Sequence, residues 1–202
     1  RQIKNRIPGI TGVDTRMLTR KLREKGTMKG KIVIDESSSL DFEDPNEKDL
    51  VSEVSCKEVK YYNRGDRSVL LVDCGTKNNI IKAFLNRNIT VIRVPYDYDF
   101  TTIKADGILI SNGPGDPKMC KKTIEHTRKA MSRGMPILGI CLGSQILALA
   151  AGGDTYKLKY GHRGHNQPCN ETGTKRCYIT SQNHGYAIDS TSLPQDWREW
   201  FV

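Results

Sequence analysis

Residues 135–151 turn a strand into a helix across almost no connecting chain. Met135 to Ile140 is an apolar run, and Gln145 to Ala151 reads as a helix. Between them stands Cys141, with Gly139 two positions before it and Gly143 two positions after. A connection this tight leaves no room for side chains at the flanking positions, which is why glycine is required there. The cysteine is held at a strand's end and a helix's start, the cysteine form of a nucleophile elbow. The positive end of the helix dipole favours the nucleophilic thiolate. The stretch therefore demands an α/β fold and makes covalent catalysis through Cys141 the leading reading. A cysteine after a buried strand is ordinarily just a small hydrophobe, so the rest of the case must come from elsewhere in the chain.

The region around the elbow has a repeating texture. Val69–Val72 is an apolar strand ended by Asp73-Cys74-Gly75, and a helix follows over about Lys77–Arg87. Thr90–Val94 and Gly107–Ile110 are further strands, Lys121–Arg133 a helix, Ile137–Ile140 a strand and Ser144–Ala151 a helix. Short, continuously apolar strands alternating with helices predict a doubly wound, mostly parallel sheet. After Gly153 the pattern becomes short polar strands, Lys157–Tyr160 and Arg176–Ile179.

The first part of the chain is organised differently. Asp14 and Thr15 cap a helix whose apolar face is Met17, Leu18 and Leu22, and Gly26 ends it. Lys31 to Ile34 reads as a strand. Residues 35–66 read as a polar stretch, a short helix near Lys48–Ser52 and a linker at Asn63–Asp66. The expected division is a small domain with linker over 1–62 and an α/β domain over 67–202.

Composition excludes several classes. The formal net charge is +9 over 202 residues, which first suggests nucleic acid. The basic residues are scattered, however, and form no stripe interleaved with aromatics, so no nucleic-acid partner is expected. The six cysteines, at 56, 74, 120, 141, 169 and 177, contain no Cys-x-x-Cys pair, against a zinc or redox motif. No apolar stretch approaches membrane-spanning length and no signal peptide is visible. Reduced thiols in the cytoplasm are the default expectation. Because Arg1 is not methionine, the natural N-terminus is expected to lie upstream.

Two loops join Cys141. Ser111-Asn-Gly-Pro-Gly-Asp-Pro117 follows the strand Gly107–Ile110. Ligands of such sheets sit outside the carboxyl ends of the strands. Backbone N–H groups here could donate to the oxyanion formed when Cys141 attacks a carbonyl, although Asn-Gly and Pro-Gly are also ordinary turn dipeptides. Thr180-Ser-Gln-Asn-His-Gly-Tyr186 reads as a polar cluster at a strand end, suited to an amino acid's charged groups. His162 and His165 stand three apart without a third metal ligand, so a polar surface loop is expected and no metal site.

Taken together, these segments resemble the class I glutamine amidotransferases. Gly139-Ile-Cys-Leu-Gly-Ser-Gln145 is similar to the family's nucleophile segment and Ser111–Pro117 to its oxyanion segment. Gly161-His-Arg-Gly-His-Asn-Gln-Pro168 and Ile179-Thr-Ser-Gln-Asn-His-Gly-Tyr-Ala187 resemble the glutaminase part of carbamoyl phosphate synthases. Ile10-Thr-Gly-Val-Asp-Thr-Arg-Met-Leu-Thr-Arg20 resembles the end of that glutaminase's own small N-terminal domain. Within the group, Asn166-Gln-Pro and Asn183-His-Gly-Tyr look most like the fused eukaryotic pyrimidine-pathway forms.

The resemblance implies a role for each matching residue. Cys141 attacks the side-chain amide of L-glutamine, a glutamyl thioester forms, ammonia leaves and water releases glutamate. The N–H groups of Leu142 and Gly113 form the oxyanion hole, and Gly115, Gln145, Asn183, Gly185 and Tyr186 hold the glutamine. Ammonia passes to a carbamoyl phosphate synthetase domain or large subunit, where bicarbonate and ATP make carbamoyl phosphate for pyrimidine or arginine synthesis. No cofactor is implied for this domain; ATP and Mg belong to the synthetase partner.

Two departures accompany the resemblance. The family's His-Pro-Glu segment, which supplies the catalytic histidine, is absent from the sequence. His184 belongs to the binding segment and does not replace it. The chain therefore reads as an internal fragment expected to hydrolyse glutamine poorly in isolation. Relatives also commonly carry histidine where this chain has Ser144. Two other readings stay open at this point: the glutaminase part of another class I amidotransferase, and a non-catalytic homologue that regulates a synthetase.

Overall fold

The computed structural model describes residues 7–33 and 43–202. They belong to two compact units, Arg1–Phe42 and Glu43–Val202. In the first, helix α1 spans Thr15–Lys25, its N-terminus capped by the Asp14 carboxylate, which accepts from the Met17 N–H. Met17, Leu18 and Leu22 all stay exposed. Among the described residues, Lys31–Val33 are not in a strand. Ile34, the last residue of that expected strand, lies outside the described residues.

The second unit is built on a five-stranded sheet of order β1-β3-β2-β4-β5. Its strands are β1 (Lys60–Tyr62), β2 (Arg67–Asp73), β3 (Ile89–Pro95), β4 (Gly107–Ile110) and β5 (Ile137–Gly139). Four run parallel; β1 adds antiparallel to the edge of β3, with Tyr61 opposite Ile92. Three residues carry too little alternation to be read as a strand beforehand. The helices are α2 (Leu50–Val54), α3 (Asn78–Leu85), α4 (Lys121–Ser132) and α5 (Leu142–Ala151). Alternation along β2 sorts the core into two layers. Leu70 and Val72, with Ile108, Ile110, Ala130, Leu142 and Ile146, form the layer under α4 and α5. Val69 and Leu71 pack with Val91, Leu109 and Ile81 of α3 on the other face. The sheet is thus doubly wound and mostly parallel, as the continuous apolar strands predict.

This unit begins at Glu43, earlier than the division expected at 62–67. Residues 49–56 are bonded into the sheet's end: Tyr96 Oη donates to Asp49 (2.7 Å), the Tyr96 N–H donates to Ser55 Oγ (3.0 Å), and Val51 is buried.

The largest difference from expectation lies after Gly153. Instead of short strands there is one long antiparallel hairpin, β6 (Asp154–Asn170) with β7 (Cys177–Asp189). The segments 160–168 and 180–186, read as loops, lie inside these strands. Polar side chains on both faces of an exposed ribbon conceal the period of two that marks a half-buried strand.

Candidate active site

The chain leaves β2 for β3 on one side and returns to β4 on the other, so the strand order reverses between β2 and β4. The carboxyl ends of strands flanking such a switch point are where α/β sheets bind ligands. Three connections meet there: residues 74–77 after β2, residues 111–117 after β4, and Ile140–Cys141 after β5.

Cys141 is the N-cap of α5, with φ 53° and ψ −108°. A non-glycine residue so placed carries about 1–3 kcal/mol of strain and persists only where its surroundings enforce it. The enforcement is visible on both sides. The Ile140 N–H donates to Ile110 O (3.0 Å). Cys141 O accepts from the Ser144 N–H (3.0 Å) and the Ser144 hydroxyl (2.7 Å). A Cβ on Gly139 would lie 2.4 Å from the Gly143 carbonyl, and one on Gly143 would lie 2.1 Å from Ile110 O. The two glycines therefore let the helix start directly against β5 and β4. The cysteine is solvent-exposed, while Leu142 beside it is buried.

Leu142 is the first residue of α5, and its N–H has no acceptor within the helix. The Ser111–Pro117 loop comes directly against it. A Cβ on Gly113 would fall 2.6 Å from Leu142 Cδ2 and 2.2 Å from Cys74 O. Gly113 is thus wedged between the nucleophile helix and the turn after β2. Gly115, with φ +82°, lies over Leu50 of α2, 3.6 Å from its would-be Cβ.

One turn into α5, buried Gln145 reaches the hairpin: its Nε2 donates to Tyr186 O at 2.7 Å. Tyr186 O also lies 2.8 Å from His184 Nδ1. The Tyr186 hydroxyl donates to Asn46 Oδ1 at 3.4 Å. Burial, and after it the nearby Asp116 and Asp44 carboxylates, raise the Tyr186 hydroxyl above its ordinary pKa, so it is a neutral donor.

The remaining hairpin residues are tied to one another. Asn183 is exposed, its Oδ1 accepting from Arg163 (3.0 Å), and Gly185 lies beside the same guanidinium. His184 Nε2 and His162 Nδ1 both meet Gln182 Oε1, at 3.0 and 2.8 Å, and the two rings stand edge to face. His165 Nδ1 meets Ser181 Oγ. Among the described residues, no three His, Cys, Asp or Glu side chains are grouped to hold a metal.

The structure therefore joins Cys141, Leu142, Gly113, Gln145 and Tyr186 through direct contacts. Gly115 belongs to the same loop as Gly113, while the Asn183 side chain is engaged within the hairpin. Several neighbours carry no signal in the sequence: Asn46, Leu50 and the pairing of buried Asp73 with half-buried Arg93. Asp73 carried one available signal, a carboxylate closing the apolar run Val69–Val72.

Comparison with known proteins agrees with this geometry. The family model for glutamine amidotransferase class-I matches residues 70–202, and that for the carbamoyl-phosphate synthase small chain, CPSase domain, matches residues 2–32. The chain is 53% identical to the multifunctional protein CAD of Squalus acanthias, over 97% of this chain and 9% of that protein. It is 47% identical to the mitochondrial carbamoyl-phosphate synthase [ammonia] of Homo sapiens, over 98% of this chain and 13% of that protein. It spans about a tenth of the length of these relatives. A crystal structure of a glutamine amidotransferase from Thermotoga maritima shares the fold, with TM-score 0.53 and 18% identity over 67% of this chain and 66% of that one. With a strained cysteine at the head of α5 and a family match running from β2 to Val202, the chain belongs to the class I glutamine amidotransferases.

Proposed function

We propose that this chain is the glutaminase component of a glutamine-dependent carbamoyl phosphate synthase. The observation that carries the reading is Gly113 wedged against Leu142 beside the exposed, strained Cys141. Cys141 sulfur attacks the side-chain amide carbon of glutamine. The carbonyl oxygen becomes an oxyanion that accepts from the Leu142 and Gly113 N–H groups, an arrangement worth several kcal/mol in comparable sites. The C–N bond then breaks, and nitrogen departs as ammonia with the proton the thiol gave up. Water cleaves the thioester to glutamate and restores the thiol. Gly115, Gln145, Asn183, Gly185 and Tyr186 hold the substrate, Gln145 acting through its bond to the Tyr186 carbonyl.

The carbamoyl phosphate assignment rests on the small-chain match over residues 2–32 and on relatives whose names carry that activity. The partner is a synthetase domain or large subunit that consumes the ammonia with bicarbonate and ATP. A chain that only regulated a synthetase would have no use for the elbow around Cys141.

The test treats the full-length protein, amidotransferase and synthetase regions complete, with a diazoketone analogue of glutamine. The expected result is one adduct, on Cys141, prevented by excess glutamine. Cys141→Ser should abolish glutamine-dependent carbamoyl phosphate synthesis and leave ammonia-dependent synthesis intact. An adduct on another cysteine, or glutamine-dependent turnover by Cys141→Ser, would refute the reading.

A further inference from the structure

Asp73 closes β2 and is fully buried. Its Oδ1 accepts from the N–H groups of Gly75 (3.1 Å) and Thr76 (2.8 Å). Its Oδ2 accepts from the Cys56 N–H (2.7 Å) and from Arg93 Nε (2.9 Å) and Nη2 (2.6 Å). An ion pair with a fully buried carboxylate and a half-buried guanidinium is a poor device for stability alone, because desolvation cancels much of its attraction. What this carboxylate does is fold residues 74–76 into a tight turn around itself.

That turn is the wall behind the oxyanion loop. The Cys74 N–H donates to Ser111 Oγ (2.9 Å), and Asn112 Nδ2 donates to Gly75 O (3.1 Å). Gly113 is pressed so closely on Cys74 O that a Cβ there would overlap it at 2.2 Å. Through Cys56 the same carboxylate fixes the chain after α2, whose Val54 meets Gly75 and whose Leu50 underlies Gly115. A shift of the turn must therefore shift the Gly113 peptide. Sub-ångström errors in such a donor's position are costly to the chemical step.

We propose that Asp73, held by Arg93, is a positioning residue that sets the Gly113 N–H of the oxyanion loop. The inference rests on the reading of Gly113 as an oxyanion donor given above.

The experiment uses the full-length protein, amidotransferase and synthetase regions complete, and compares wild type with Asp73→Asn. Two reactions of Cys141 are measured: glutamine turnover, which needs the oxyanion site, and alkylation by iodoacetamide, a displacement at saturated carbon that does not. The expected result is a fall in kcat for glutamine of about 10- to 100-fold, with KM changed less than about threefold and the alkylation rate of Cys141 unchanged. Asn112→Ala, which cuts the half-buried tie between turn and loop, should lower kcat in the same way. It serves alone if Asp73→Asn does not fold. The double variant should be no slower than the slower single one, since both act through one loop. Full kcat in either folded variant, or kcat and alkylation falling together, overturns the proposal. A wild-type assembly inert to glutamine overturns the reading of the site, and the proposal with it.

Discussion

Gln145 Nε2 donates to the main-chain carbonyl of Tyr186 at 2.7 Å, fastening the helix that carries Cys141 to the β6–β7 hairpin across 41 residues of sequence. Gln145 is buried, so no water replaces a lost partner there. Gln145→Glu sets a carboxylate oxygen against the carbonyl it now serves. Burying an unmatched polar contact costs about 1–3 kcal/mol, and the Tyr186 side of the site loses its anchor. The expected outcome is a urea midpoint lowered accordingly and KM for glutamine raised about tenfold, with kcat reduced less. Equal stability and unchanged KM would show that the hairpin is held by other means.

The elbow makes a sharper prediction about space. Gly139→Ala would place a methyl 2.4 Å from the Gly143 carbonyl, and neither backbone can yield without moving the start of α5. Overpacking of this kind costs about 1–3 kcal/mol and sometimes more. Gly30→Ala is the control, because a Cβ there meets nothing within 4 Å. Thermal unfolding should separate the two, with glutamine turnover lost in the first and kept in the second. A fully active Gly139→Ala variant would mean that Cys141 does not depend on this turn.

These two sites differ in how far the sequence discloses them. The elbow is local: glycines two residues either side of a cysteine, between an apolar run and a helix, encode their own geometry. The sheet was legible for the same reason, since strands buried on both faces need no alternation. The Gln145–Tyr186 contact and the Asp73 cradle are products of topology. Asp73 meets Cys56 and Arg93 only because β2 lies beside β3 and α2 folds under the switch point. Two short strands of the hairpin were legible at 157–160 and 176–179, but its full length escaped because its side chains are polar on both faces, and a paired polar strand looks like a loop until its ladder is seen.

Cysteine chemistry offers a prediction independent of turnover. Burial, followed by nearby carboxylates, pushes the Cys120 thiol up to about 12, and burial with Cys120 and Asp73 raises Cys74 well above the ordinary thiol value. Cys56 is pushed up to about 11, by burial first and then by Asp73. At neutral pH such thiols hold a thiolate fraction of order one in a thousand or less. Cys141 and Cys177 are the exposed cysteines. Iodoacetamide at pH 7.5, read by peptide mass spectrometry, should therefore modify Cys141 and Cys177 while sparing Cys74 and Cys120 until denaturant is added. Modification of Cys74 at a rate like that of Cys177 would contradict the packing beneath the site.

Asp73 also ties stability to pH. Burial alone would raise its carboxyl, but donors from Thr76, Cys56, Arg93 and Gly75 outweigh it and hold the group below its ordinary value. The unfolded chain then takes up the proton first, at about pH 3.9. The contribution is therefore fully present above that value and is lost as pH falls through the lower folded-state value. The groups facing the carboxylate are the Arg93 guanidinium and the Cys56 thiol, and neither changes charge between pH 2 and 7. Asp73→Asn leaves the half-buried Arg93 guanidinium without its charged partner, so a loss of about 1–3 kcal/mol is expected at pH 7. The variant's unfolding free energy should then fall less steeply than the wild type's below pH 4, and the two curves should converge. Urea titrations at intervals from pH 7 to 2.5 measure this directly. Parallel curves across that range would mean that the carboxylate titrates alike in both states and that the five donors do not hold it.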